Sequence, residues 1–265
     1  YMPVEGTAHN IAFVSIAKRY LGQPNKVAQG LWGAGQMMFN KYLVIADEGV
    51  DIRSREHMCR LFRGLDVRRS IIWSEGILDV LDHATPTTGY GSKLAIDLTD
   101  IDPKSASATF TAPRTAKPYG GVEYFNTEFT EELGLLLLFA EREWHEQIDV
   151  EGYINHNNIT GIKFVALFDN GAVGSMRPSD LLWLAAANTD PKRDIRIAGD
   201  TIIIDARSKR PGYGDNPSRF PNVVTSTPDV IRMVNERWSE YNIGEFVESP
   251  SRRYRKLWLS DEAQW

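Results

Sequence analysis

Lys41-Tyr42-Leu43-Val44-Ile45-Ala46-Asp47-Glu48-Gly49 is an apolar run that closes on two acids and a glycine. Such a run, bounded by a turn signal, reads as a buried strand delivering the chain into a loop. Lys163-Phe164-Val165-Ala166-Leu167-Phe168-Asp169-Asn170-Gly171 repeats the pattern 122 positions later. The flanks repeat too. Asp66, Arg69 and Ile71 lie over Asp190, Arg193 and Ile195 at a spacing of 124. Gly76 and Asp82 lie over Gly199 and Asp205 at 123. Short apolar strands resemble one another by chance, but a steady spacing across several elements points to one α/β unit present twice.

Residues 11–16 (IAFVSI) read as a strand that precedes the first copy of the run, and residues 20–24 as a break. Val27, Leu31, Ala34 and Met38 predict a helix over 26–39. Ser54 is placed to cap a helix carrying Met58, Leu61, Phe62 and Leu65, and residues 70–73 read as a third strand. In the second copy, residues 134–140, 163–168 and 202–204 read as strands and 178–187 as a helix with Pro178 in its first turn. Strands alternating with helices imply an α/β class with mostly parallel sheets and flanking helices. Thr227-Pro228 starts a further helix with the stripe Ile231, Val234, Trp238 and Tyr241, giving an extended C-terminal helix. A tail with Tyr254, Trp258 and Trp265 is expected to dock on something, another subunit being one choice. Pro, Ser, Thr and Gly accumulate in 102–121 and again in 208–221. The expected units are therefore 1–102, 103–212 and 213–265.

The 265 residues suit one large domain or two ordinary ones. A net charge of -5 gives no basic footprint for nucleic acid. One cysteine, Cys59, excludes an internal disulfide and suits a reducing, cytoplasmic setting. Purely apolar runs such as 135–140 are far short of the roughly 20 residues of a membrane span. No signal peptide is visible, and the chain opens on Tyr1, which reads as a fragment of a longer protein.

Few constellations carry chemistry. Gly33-Ala34-Gly35 sits inside a helical pattern rather than between strand and helix, so it reads as packing and not as a dinucleotide fingerprint. Asp47, Glu48 and Asp51 follow a strand end, where ligands of α/β sheets gather and paired carboxylates hold hard metals; a solvated loop is the competing reading. His9, His57, His83, His145 and His156 are scattered. His57 and Cys59 read as structural, His145 as solvated. Gly89-Tyr90-Gly91-Ser92-Lys93 is either an anion cradle built from backbone N–H groups or an ordinary connection. No nucleophile elbow is present.

Several segments in order resemble the UbiD family of decarboxylases, whose founder is 3-polyprenyl-4-hydroxybenzoate decarboxylase. They are residues 13–20 (FVSIAKRY), 31–38 (LWGAGQMM), 47–51 (DEGVD), 75–84 (EGILDVLDHA), 91–97 (GSKLAID), 220–225 (FPNVVT) and 249–251 (SPS). They span about 7–102 and 216–254, so 1–102 resembles the family's carboxy-terminal domain, and the second copy looks like an insertion.

The resemblance implies a decarboxylase of aromatic or unsaturated acids, of the ubiquinone or menaquinone biosynthesis type. Prenylated FMN, a divalent metal (Mn or Mg) and potassium would be held mainly by an amino-terminal domain. That domain's Glu-Gly-Pro-Phe-Gly-Glu-like acidic loop is missing from these 265 residues, so no catalytic residue and no metal ligand is assigned here. The fragment alone is expected to bind no cofactor and to be inactive. Lys18 takes the place of the family's flavin-phosphate lysine, although Ala17 stands where the first residue of a Lys-Lys pair is usual. Leu78 and Val80 map to the pocket wall. The implied partners are the missing amino-terminal flavin domain, further copies of the chain in a homo-oligomer, and a small aromatic acid. Peripheral membrane association through a prenylated substrate is also implied. A non-catalytic assembly or scaffold module derived from the family, and an independent nucleotide-binding α/β protein, are the competing classes.

Overall fold

A computed structural model describes residues 1–6, 9–101, 109–113, 115, 117–141, 147–172, 176–212 and 220–258. His145, Trp265 and all of 102–108 and 213–219 lie outside the described residues.

The first sheet is built from β1 (Ile11–Ile16), α1 (Gln23–Trp32), β2 (Tyr42–Asp47), α2 (Arg55–Arg63), α3 (Val67–Ser70), β3 (Ile71–Ile77) and β4 (Tyr90–Asp97). Its order is β1-β2-β4-β3, with β1, β2 and β4 parallel and β3 antiparallel to β4. Then follow β5 (Val122–Asn126), α4 (Thr130–Leu133), β6 (Leu135–Ala140), α5 (Val150–His156), β7 (Phe164–Asp169), α6 (Pro178–Ala187), α7 (Pro191–Asp194), β8 (Ile195–Ala198) and β9 (Thr201–Asp205). The second sheet runs β5-β6-β7-β9-β8. Leaving out the edge strand β5, it repeats the order and directions of the first.

The registers agree as well. Tyr42 stands beside Leu94 as Phe164 stands beside Ile202, and Ile71 faces Ile96 as Ile195 faces Ile204. This corrects the sequence comparison beyond Ile71. Asp205 matches Asp97, not Asp82, because both end the last parallel strand. Gly199 lies in a tight turn with φ of +61°, whereas Gly76 lies within β3 opposite Gly91. The connection between the antiparallel strands is long in the first copy and two residues in the second, so a constant spacing could not survive it.

The central strands β2, β6 and β7 are buried on both faces, as parallel strands covered on each side must be. Leu43 and Ile45 pack with Ala28 and Trp32 of α1. Val44 and Ala46 face the other way into a core shared with Met58, Leu61 and Leu65 and with Phe164, Ile195 and Ile202 of the second sheet. Phe62 and Phe164 meet edge to face at 5.9 Å. The caps are local. Ser54 accepts from the His57 N–H at 3.3 Å, Asp66 from the Arg68 N–H at 3.1 Å, and Asp190 from the Lys192 N–H at 3.2 Å.

Three further expectations are corrected. The helix predicted over 26–39 ends at Trp32, and a 3-10 turn, Gly35–Phe39, follows. Gly35 has φ of +56°, a left-handed conformation that an α-helix cannot pass through. Residues 89–93 are not a loop, since all but Gly89 belong to β4. The C-terminal helix is interrupted at Arg237, giving α8 (Pro228–Glu236), capped by Thr227, and a single turn α9 (Trp238–Tyr241). Of its expected stripe only Ile231 is buried. The tail returns to this same chain through α10 (Ser251–Tyr254). The Tyr254 hydroxyl donates to Asp180 at 2.7 Å, Leu257 is buried against α6, and the Trp258 indole donates to the Val223 carbonyl at 3.0 Å.

Candidate functional site

Lys18 follows β1 at the carboxyl edge of the first sheet. Its side chain is mostly covered and pairs with the exposed Asp100. Asp47, at the end of β2, is held above the usual carboxylate range by burial and then by the Asp100 charge, with Lys18 opposing. Asp97 is occupied by Thr99, accepting from its N–H at 2.9 Å and its hydroxyl at 2.6 Å. Asp51 closes a turn onto the Arg53 N–H at 3.0 Å. The set is one ammonium among several carboxylates. A flavin phosphate needs an excess of cationic or N–H donors, so the donors around Lys18 do not by themselves fit that group.

The second place of interest is the connection 78–89 between β3 and β4. Leu78 is fully buried, and its N–H donates to the Gly89 carbonyl at 3.0 Å. Val80 is 68% exposed and Leu81 84%. With Trp73, Ile77 and Tyr90 they leave an apolar row open to solvent. The family resemblance places Leu78 and Val80 on one wall; within this chain Leu78 is buried and Val80 faces outward.

Beneath the tip lies a buried pair. Lys41 Nζ stands 2.7 Å from Asp82 Oδ2, with both side chains at most 2% exposed. The pair is off hydrogen-bond geometry, and neither atom has a hydrogen-bond partner. Lys93 enters the same region and donates to the Met38 and Asn40 carbonyls at 2.7 and 2.6 Å. Burial brings its pKa down to about 8.

Ser92 shows what the Gly89–Lys93 segment holds. Its N–H donates to the Asp190 carboxylate at 3.0 Å, and its hydroxyl donates to the other oxygen. An anion is indeed cradled there, and it is a side chain of the second sheet's own connection.

Residues 1–98 match the family model described as the 3-octaprenyl-4-hydroxybenzoate carboxy-lyase C-terminal domain. This segment is a UbiD-type C-terminal domain. An uncharacterized protein of Aquifex aeolicus is 40% identical over 100 residues, covering 37% of this chain and 21% of the relative. An uncharacterized protein of Helicobacter pylori is 25% identical over 256 residues, covering 89% of this chain and 39% of the relative. The chain therefore spans well under half the length of either. The match to the Helicobacter protein runs across the second sheet, which is thus not peculiar to this chain. Among solved structures, the Pelotomaculum thermopropionicum UbiD-class enzyme HmfF in complex with FMN aligns at 19% identity and a TM-score of 0.33, over 36% of this chain and 21% of that one. The Sedimentibacter hydroxybenzoicus vanillic acid decarboxylase aligns at 25% and 0.32, over 42% and 24%.

The UbiD-type domain thus includes Lys18, Leu78 and Val80. The described histidines do not converge on one place. His9 lies 3.3 Å from Gln36, His156 stacks on Tyr119, and His57 is exposed rather than packed among apolar positions. Only His83 belongs to the 78–89 connection. Cys59 is half-buried, and burial pushes its thiol up to about 11, so it is no nucleophile at neutral pH. Among the described residues no three His, Cys, Asp or Glu side chains gather as metal ligands. No helix among them is long and apolar enough to cross a membrane.

Proposed function

We propose that the chain is the carboxy-terminal part of a prenylated-FMN-dependent decarboxylase of aromatic or unsaturated acids, of the quinone-biosynthesis type, acting in the cytoplasm. The observation that carries this reading is the match of residues 1–98 to the carboxy-lyase domain. In this reading the chain closes the active site with apolar side chains and contributes to assembly. Flavin, divalent metal and potassium belong mainly to the rest of the protein, and Lys18 reaches toward the flavin phosphate as one donor among others supplied there. The apolar row around Val80 would exclude water from the reacting carboxylate. It cannot move a proton, which takes a carboxyl group within hydrogen-bond reach.

The test compares two proteins. The full-length protein loaded with prenylated FMN is expected to release carbon dioxide from aromatic or unsaturated acids, and the 265-residue chain under the same conditions none. Turnover by the chain alone would refute the division of labour. Full-length Lys18→Ala is expected to retain less flavin after gel filtration; unchanged occupancy rejects the role of Lys18.

Assembly is proposed to use the arm 224–248, where Met233, Ile243, Phe246 and Val247 are exposed. Light scattering is expected to give a mass above one chain. A monomer mass at micromolar concentration rejects this.

A further inference from the structure

Asn188-Thr189-Asp190, between α6 and α7, sends three consecutive side chains into the first sheet's territory. Asn188 Oδ1 lies 3.2 Å from His83 Nε2. The Thr189 hydroxyl meets the Tyr42 phenol. The Asp190 carboxylate holds Ser92. Asn188 Nδ2 donates to the Ala206 carbonyl at 3.1 Å, which turns Asn188 Oδ1 toward the ring and assigns the donor role to His83 Nε2. The ring of Phe220 stands edge-on to His83 at 4.7 Å and is itself buried.

His83 lies in the 78–89 connection, whose inner residues Leu78, Ala84 and Thr85 are buried while its tip is exposed. The connection and the second unit meet over Gly91. A Cβ there would stand 2.9 Å from Asp190 Oδ2, Leu78 Cδ1 and Thr85 Cγ2 alike. No other residue type leaves room for all three.

The repeat shows that these contacts are particular to the second copy. By the shared register, Asn188, Thr189 and Asp190 correspond to Gly64, Leu65 and Asp66. Gly64 has no side chain to reach with, and Leu65 is buried in the shared core. Asp66 is half-exposed and serves as the N-cap of α3.

We propose that Asn188 and Asp190 are positioning residues, a lock by which the second α/β unit fixes the 78–89 connection and with it Leu78 and Val80, while Thr189 ties the same segment to Tyr42 of β2. The catalytic consequence rests on the reading of a pocket wall given above; the lock itself does not.

The lock is tested by amide hydrogen exchange on the 265-residue chain. The Leu78, Leu81 and Ala84 N–H groups donate to the Gly89 carbonyl and to the Asp79 and Asp82 carboxylates at 2.9–3.0 Å and report on the connection. Asn188→Leu keeps the volume and removes the acceptor. It is expected to speed exchange across 78–89 at least tenfold while the amides of β1 and β2 keep their rates. Unchanged exchange, or a uniform rise over both sheets, overturns the lock.

Should Asn188→Leu fail to fold, His83→Leu and His83→Gln make the same comparison. The glutamine retains a donor and is expected to stay near the parent, and equal rates in the two overturn the lock. In the full-length protein, a parent that releases no carbon dioxide defeats the pocket-wall reading, while the exchange result decides the lock independently.

Discussion

Asp82→Asn is expected to destabilise the chain by about 3–5 kcal/mol at pH 7, the usual cost of leaving one member of a buried ion pair uncompensated. The Lys41 ammonium has no exposed surface and Asp82 is its only ion-pair partner among the described residues. The loss extends to Lys93, whose charged form Asp82 also favours and Lys41 opposes. Urea unfolding followed by far-ultraviolet circular dichroism reads the effect directly. The double variant Lys41→Met, Asp82→Leu is expected to recover most of it, because removing both charges removes both desolvation costs.

The sign of the pH dependence follows. Lys93 in the folded chain titrates near 8, below its ordinary 10.5, so between those values the unfolded chain binds more protons and stability rises with pH. Asp82→Asn should therefore be less damaging at pH 9.5 than at pH 7. A single variant within 1 kcal/mol of the parent at pH 7 would show that Lys41 reaches water or another anion in solution.

The elements legible in the sequence were those whose burial is written locally. Residues 11–16, 42–47 and 164–169 are six-residue strands with scarcely a polar side chain, and the last two are covered on both faces. β4 escaped because Gly91, Ser92 and Lys93 interrupt its pattern. Each is tolerated by a distant partner: Gly91 by the side chains crowding it, Ser92 by Asp190, Lys93 by the carbonyls of Met38 and Asn40. β5, an edge strand containing Glu123 and Asn126, carried too weak a pattern to separate from the linker.

The site divides in the same way. Asp47 was found because it ends a strand and Lys18 because the family resemblance points to it, but Asp100, which pairs with Lys18, had no local mark. Asn188 and Thr189, just past the helix predicted over 178–187, drew no reading from the sequence. One signal was present: the repeat puts these polar residues where the first copy has glycine and leucine, and polar replacement at a core position asks for a partner.

Asp190→Ala tests how firmly the two copies are joined, with Asp66→Ala as a control inside the same molecule. Both aspartates cap a four-residue helix by accepting from the N–H two positions on. If capping were all, each would cost about 1 kcal/mol. Asp190 is buried, and it also receives the Ser92 N–H and hydroxyl. Its removal orphans those donors, and each buried donor left unmade costs about 1–3 kcal/mol. The Ser92 hydroxyl can turn elsewhere, whereas its N–H cannot. A loss of about 3 kcal/mol is therefore expected for Asp190→Ala against about 1 kcal/mol for Asp66→Ala. Asp190→Asn should fall between them, since one amide oxygen can still accept but the NH2 group opposes a donor. Equal losses for the two alanine variants would mean that the carboxylate at Asp190 caps α7 and does nothing to hold the second sheet against the first.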